Sequence, residues 1–274
     1  MSTPDFAASG VITITTDFGH KGPFIGVMKG RILQEFAGAN IVDLTHETLA
    51  HWPAEAGFWV SRSYRFFPVG TVHIAVVDPG VGTDREIIVI LRDGHAFIAP
   101  DNGLLATLAE TAASDPSDVP VYRVSDPLLA KLGLLQPSAT FHGRDVLAPL
   151  AASLASGRFA PADVGPRTHD IVPSWLDEPE KHHGGVSGVV VTVDAFGNLI
   201  TNIDQSLIEQ IEEPVAVAGN HTLPFRRTYA DVRPGELLAL VNSFGVVELA
   251  CGEGSAADAL GAGRGAPVKV TGAG

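Results

Sequence analysis

Apolar residues follow two rhythms along this chain, and the change between them falls past its middle. Val11–Thr15 and Thr71–Val77 are runs of Val, Ile and Thr with little polar alternation, the pattern of strands covered on both faces. Helical spacing follows from about Phe24 to Phe36, and again from about Pro53 to Phe66 after a short strand at Ile41–Leu44. Glu86–Leu91 and Ala96–Ile98, joined by Arg92-Asp93-Gly94-His95, predict a hairpin, and Asn102–Glu110 and Arg144–Ser156 predict helices. Strands alternating with helices predict an α/β domain with a mostly parallel central sheet flanked by helices. Between Gly157 and Gly185 the periodicity stops in a stretch rich in Pro, Gly, Asp and His. From there short strands dominate: Gly188–Val193, Asn198–Ile203, Pro214–Ala218, Glu236–Val241 and Val246–Ala250. The expected organisation is an α/β domain over residues 1–170, a linker over 171–186, and a smaller all-β, barrel-like domain over 187–274. The alanine- and glycine-rich tail, Ala256–Gly274, is loose in composition only.

Composition narrows the classes of function. Hydrophobic residues make up 45% and charged residues 18% of the 274, which excludes a disordered or coiled-coil chain. Eighteen Lys+Arg against 31 Asp+Glu give a formal charge of -13, which repels phosphate backbones and anionic membranes and argues against nucleic-acid or membrane partners. The single cysteine, Cys251, excludes an intramolecular disulfide and a cysteine-cluster zinc site, and points to a reducing compartment. No basic region precedes an apolar run at the N-terminus, and no segment reaches the roughly 20 apolar residues that span a bilayer, so a cytoplasmic location is expected.

Residues able to do chemistry collect where strands end, which is where open α/β sheets bind ligands. Asp17, after the first strand, suits either a vicinal diol or an Asx-turn. In Val77-Asp78-Pro79-Gly80-Val81-Gly82-Thr83-Asp84-Arg85, a strand ends at Asp78 and Arg85 returns at the start of the next strand. The pair could orient a catalytic carboxylate or simply close a loop as an ion pair. No Gly-Lys-Ser/Thr follows, so this is not a Walker phosphate loop. His142, just before a predicted helix, is expected to stay neutral near pH 7 because the positive end of the helix lowers its pKa; capping and core roles stay open. His20, His46, Asp17 and Asp78 show no ligand spacing, so no metal is expected. Asp194-Ala195-Phe196-Gly197-Asn198 and Asn242-Ser243-Phe244-Gly245 have the composition of turns, and Gly252-Glu253-Gly254-Ser255 offers backbone amides to a ligand.

Taken in order, TDFG, VDLTHE, VDPGVGTDR, APDNGLL, TFHGRDV, DAFGNLITNI and NSFG resemble the S-adenosyl-L-methionine hydroxide adenosyltransferase family, relatives of the fluorinases and chlorinases, from about Ile12 to Ser255. The resemblance implies an α/β domain followed by a β-barrel. It implies homotrimers whose sites lie at subunit interfaces, and S-adenosyl-L-methionine as substrate with no cofactor and no metal. The implied reaction is hydrolysis to adenosine and L-methionine by attack of water at the ribose C5′. The water-activating triad would be Asp78, Arg85 and His142. Asp17 would bind the ribose diol, Asn198 and the Cys251–Ser255 backbone (with Glu253 and Ser255) the adenine, and Tyr229 would stack on it. Asp194 and Ser243 would hold the methionine amine and carboxylate, and Asn102 lies in a family motif among the substrate-binding residues. Halogenases carry tyrosines where this chain has Asp78 and His142, and an ionised Asp78 repels halide, which favours water. Gly143 stands at the fluorinases' halide-binding serine, Phe244 at an arginine, and Gly22 at a position often held by Asp.

Overall fold

A computed structural model describes residues 6–110 and 119–272. The chain divides into two compact units, Met1–Trp175 and Leu176–Gly274.

The first unit contains β1 (Val11–Thr16), α1 (Phe24–Glu35), β2 (Asn40–Thr45), α2 (Pro53–Ser63), β3 (Val72–Val76), β4 (Ile87–Arg92) and β5 (His95–Pro100). These are followed by α3 (Ala106–Glu110), β6 (Val121–Arg123), α4 (Asp126–Lys131) and α5 (Ala148–Ala155). The sheet runs β2-β1-β3-β5-β4-β6, parallel through β5, with β4 antiparallel to both of its neighbours. Alternate residues of β3, β4 and β5 feed two cores, while β1 gives its isoleucines to the first and buries Thr13 and Thr15 on its other face. Ile12, Ile14, Val72, Ile74 and Ile98 pack with Met28 and Ile32 of α1 and with Leu150 and Leu154 of α5. Ala75, Val77, Ile90 and Phe97 pack on the other face with Val60 of α2 and Leu108 of α3. Both faces are therefore buried, which is why β1 and β3 read as unbroken β-branched runs.

Connections leave β1 toward β2 on one side and β3 toward β5 on the other. The crevice beyond the carboxyl ends of these adjacent strands is thus the switch point of the sheet, the place such sheets bind ligands. Asp17 and Asp78 follow those two strand ends.

The second unit holds β7 (Glu180–His182), β8 (Gly185–Val193), β9 (Leu199–Asp204), β10 (Pro214–Ala218), β11 (His221–Pro224), β12 (Leu237–Val241), β13 (Val246–Cys251), α6 (Ala256–Leu260) and β14 (Pro267–Gly272). Its strands order as β11-β10-β14-β8-β9-β13-β12, every pair antiparallel, with β7 beside β8. The two ends of this path meet where Phe225, just past β11, bridges Ala239 of β12 and the Arg226 N–H donates to the Ala239 carbonyl at 2.8 Å, so the sheet curls into a barrel-like form around Val190, Leu199, Leu223, Val247 and Val270.

Several expectations are corrected. Despite its loose composition the tail carries α6 and β14, with Val268 and Val270 of β14 buried in the core. Residues 273–274 lie outside the described residues. Strand β7 and the start of β8 occupy part of the stretch expected as linker, because Glu180–His182 pair with Gly185–Ser187. The helix expected from Asn102 starts only at Ala106; a turn precedes it, in which the Leu104 N–H bonds the Asn102 side chain. The helix expected over Pro53–Phe66 ends at Ser63 and tightens to a 3-10 turn over Tyr64–Phe66. The helix expected from Arg144 opens as a π turn over Gly143–Leu147 before α5.

Candidate active site

Two cavities, one in each unit, are lined by Asp17, Asp78 and His142 and by Asp194, Asn198, Tyr229 and Glu253 of the predicted residues. In the first unit a cavity of about 260 Å³ is lined by Asp17, Phe18, His51, Asp78, Phe141 and His142, among others. The loop between β3 and β4 brings Asp78 and Arg85 together. Gly82 adopts a left-handed φ of +79°, and a Cβ there would lie 2.2 Å from the Ala139 carbonyl oxygen. Glycine thus lets the loop back onto the segment that carries His142.

Arg85 joins the three predicted catalytic residues into one row. Its Nε donates to Asp78 Oδ1 and Oδ2 at 3.0 and 2.9 Å, and its Nη2 donates to Oδ2 at 2.5 Å and to His142 Nδ1 at 2.9 Å. The carboxylate and guanidinium side chains are 4% and 11% exposed, so this pair is shielded from bulk water. Guanidinium only donates, so Nδ1 of His142 must accept, and the proton of the neutral ring sits on Nε2. Burial, reinforced by the Arg85 charge, lowers the His142 pKa against the smaller opposing pull of Asp78 and Asp145. The lowered pKa leaves the ring neutral near pH 7, with desolvation and the Arg85 cation as its causes.

Asp17 is partly committed: its Oδ2 accepts the His51 N–H at 3.0 Å. The neighbouring backbone is pinned as well, since Thr16 Oγ1 pairs with buried His46 Nδ1 at 2.9 Å and the Thr16 carbonyl accepts from Thr48 Oγ1 at 3.0 Å. Asn102 is not among the residues lining the cavity. Its Nδ2 donates to the Val77 carbonyl at 2.8 Å and its Oδ1 accepts the Leu104 N–H at 3.3 Å, so it braces the backbone next to Asp78. Phe18, Phe24 and Phe141 form an edge-to-face cluster beside these residues. A Cβ on Gly22 would lie 2.8 Å from the Phe24 ring, so an aspartate at position 22 would need that ring to move.

In the second unit a cavity of about 500 Å³ is lined by Asp194, Phe196, Asn198, Tyr229, Cys251, Glu253 and Gly254. The turn reading and the ligand reading of Asp194-Ala195-Phe196-Gly197-Asn198 are compatible. Asp194 Oδ1 accepts the Phe196 and Asn198 N–H groups, each at 2.9 Å, and Oδ2 accepts Asn198 Nδ2 at 3.0 Å, which fixes both side chains at the cavity. Gly197, at φ +82°, is required because a Cβ would fall 2.3 Å from Ser255 Oγ. Ser255 caps α6 by accepting the Asp258 N–H at 3.1 Å, and neither it nor exposed Ser243 is among the lining residues. Sequence reasoning missed His51 and Phe196 as lining residues. It also missed Glu248, whose signal is a lone acid inside the apolar strand VVELAC. Among the described residues no group of three or more His, Cys, Asp or Glu side chains is placed to hold a metal ion, and no helix is long and apolar enough to cross a membrane.

An α/β unit with a carboxylate, guanidinium and imidazole at its switch-point cavity, carried in one chain with an antiparallel barrel-like unit, is the class this geometry defines. The patterns of the SAM hydroxide adenosyltransferase N-terminal and C-terminal domains match residues 12–165 and 188–269, and the chain belongs to that family. It is 36% identical to an (R)-S-adenosyl-L-methionine hydrolase of Thermus thermophilus, over 93% of this chain and 97% of the relative. It is 30% identical to a fluorinase of an Actinoplanes species, over 88% and 90% of the two chains. The crystal structure of a conserved protein from Thermotoga maritima superposes with a TM-score of 0.85 at 32% identity, covering 95% of this chain and 99% of that one.

Proposed function

We propose that this protein hydrolyses S-adenosyl-L-methionine to adenosine and L-methionine, without a cofactor, by in-line attack of water at the ribose C5′. The observation that carries this reading is the row Asp78–Arg85–His142, shielded, hydrogen-bonded throughout and set at the switch-point cavity. As the water oxygen bonds to C5′, the C5′–S bond breaks, the sulfonium takes the electron pair and methionine leaves as a neutral thioether. One water proton must also depart. His142 accepts from Arg85 and so presents an N–H, which suits it to donate to the water oxygen. Asp78, held by Arg85, is the acceptor for the departing proton. A carboxylate suffices because the leaving group is already activated, so orientation supplies most of the remaining rate.

The other roles follow the resemblance to the family. Asp17 has Oδ1 for the ribose diol, Asn198 and the Cys251–Ser255 backbone with Glu253 meet adenine, and Tyr229 stacks on it. Asp194 and Ser243 take the methionine end, and Asn102 acts by bracing Val77. Sites shared between subunits of a homotrimer, in the cytoplasm, complete the reading.

The relation to a fluorinase makes halide the alternative nucleophile, and the Asp78 carboxylate opposes it. Incubation with S-adenosyl-L-methionine, with and without chloride, is expected to yield adenosine and methionine in equal amounts regardless of halide. Formation of 5′-chloro-5′-deoxyadenosine as the main product overturns the reading in favour of a halogenase. Tight binding without turnover, unchanged in His142→Ala, overturns it in favour of a binding protein.

A further inference from the structure

Glu248 is among the buried acids that the mechanism leaves unused. Glu248 lies in β13, where every residue is buried, and is itself only 2% exposed. A carboxylate there costs several kcal/mol of desolvation that a valine would not, so its partners must explain its presence. It has two, one on each oxygen: Tyr229 Oη donates to Oε1 at 2.8 Å, and Asn242 Nδ2 donates to Oε2 at 3.0 Å. The register of β13 against β9 shifts between Val246 and Glu248, a local irregularity of the kind that re-aims a side chain.

Each partner controls a different part of the cavity region. Tyr229 sits on a single 3-10 turn, Tyr229–Asp231, with nearly half its surface exposed along the cavity that Asp194 and Asn198 also line. Asn242 begins the turn that carries Ser243. Its Oδ1 accepts the Phe244 and Val246 N–H groups at 3.0 and 3.4 Å, which fixes its amide so that Nδ2 faces Glu248. Burial, with Glu248 and Asp194 nearby, pushes the Tyr229 hydroxyl upward, so it remains a donor.

We propose that Glu248 is a positioning residue that clamps the Tyr229 ring and the Asn242–Gly245 turn to one carboxylate, fixing the adenine-stacking group and the methionine-side turn relative to each other. This deepens the hydrolase reading and rests on it for the identity of the two ligand ends.

The chemistry of the clamp supplies a conservative variant. In Glu248→Gln, Oε1 can accept from the fixed Asn242 amide, and the Tyr229 hydroxyl can rotate to accept from the Gln Nε2, so both contacts survive without charge. Glu248→Leu removes both, and Tyr229→Phe removes one without disturbing the core. KM for S-adenosyl-L-methionine is expected to rise about tenfold in Glu248→Leu and in Tyr229→Phe, with kcat within about twofold, while Glu248→Gln stays within about threefold of the parent in both. Adenosine binding by calorimetry should weaken about tenfold in Tyr229→Phe and no further in the double variant Glu248→Leu/Tyr229→Phe.

A ligand-free readout separates the clamp from the activity. With ring-labelled tyrosine, the Tyr229 signal should match the parent in Glu248→Gln and shift or broaden in Glu248→Leu. Should Glu248→Gln prove as defective as Glu248→Leu in KM and in the Tyr229 signal, charge rather than positioning is at work and the assignment falls. An unaltered Tyr229 signal in Glu248→Leu also overturns it. Parent protein that neither turns over S-adenosyl-L-methionine nor binds adenosine overturns the hydrolase reading instead, and the tyrosine spectra still decide the clamp.

Discussion

The guanidinium of Arg85 has more N–H groups than Asp78 can accept, and the one given to His142 decides what that imidazole can do. A nitrogen already accepting from Arg85 does not take a proton from water without giving up that contact, and on this ground the proposed mechanism takes Asp78 as the base and His142 as the donor. Glutamine can reproduce the His142 pattern, accepting from Arg85 through Oε1 and donating through Nε2. We therefore expect His142→Gln to keep kcat within about tenfold of the parent, and Asp78→Asn to lose about 10²–10⁴-fold. Steady-state kinetics of the two variants check this, and the reverse order of defects would identify His142 as the base. Asp78 and Arg85 were legible as a pair because both lie in one short glycine-bearing loop. His142, 57 positions from Arg85, joins them only through the fold. Residue chemistry alone left it a cap or core histidine, and the ordered motifs supplied the link. Its tautomer was not legible at all, since that depends on which nitrogen meets the guanidinium.

Elements were readable where burial is two-sided and the run is long. The Val- and Ile-rich strands of the parallel sheet announced themselves, whereas the three residues of β6 and the four of β11 carry too few positions for a period. β14 does alternate, with Val268 and Val270 inward and Pro267 and Lys269 outward, but the surrounding Gly and Ala obscure it. The π turn before α5 shows in one contact. The Ala148 N–H reaches the Gly143 carbonyl, one residue beyond the α-helical partner Arg144, and Pro149 follows in the first turn of α5, where no N–H is needed. Sheet packing also creates a pH liability. His73 of β3 is buried against Phe97, bonded to Thr13 Oγ1 at 2.8 Å and to His95 at 3.1 Å, and burial with the neighbouring His95 lowers its pKa to about 3. The unfolded chain binds that proton more readily, near pH 6.5, so stability is complete above about 6.5 and is lost as pH falls toward 3. All three tryptophans, Trp52, Trp59 and Trp175, lie in the first unit, so their fluorescence reports its unfolding. Denaturant unfolding of that unit should weaken by up to about 1.4 kcal/mol per pH unit from this one group, and His73→Gln should flatten the slope by about that amount. Equal slopes in parent and variant would refute the assignment.

For the whole molecule, the -13 charge first argued only against phosphate and membrane partners; it is equally compatible with a cationic sulfonium substrate. The proposed homotrimer predicts a particle of about three times 28.6 kDa by light scattering. It also predicts complementation: subunits carrying Asp78→Asn, co-expressed with subunits carrying Asp194→Ala, should recover activity that neither shows alone. A monomeric mass, or no recovery in a mixed trimer, would rule out sites shared between subunits. The central claim is that water attacks C5′, and turnover of S-adenosyl-L-methionine in oxygen-18 water with mass spectrometry of the product tests it directly. Adenosine carrying the label at its 5′ oxygen is the predicted result; unlabelled adenosine, or none, would contradict it.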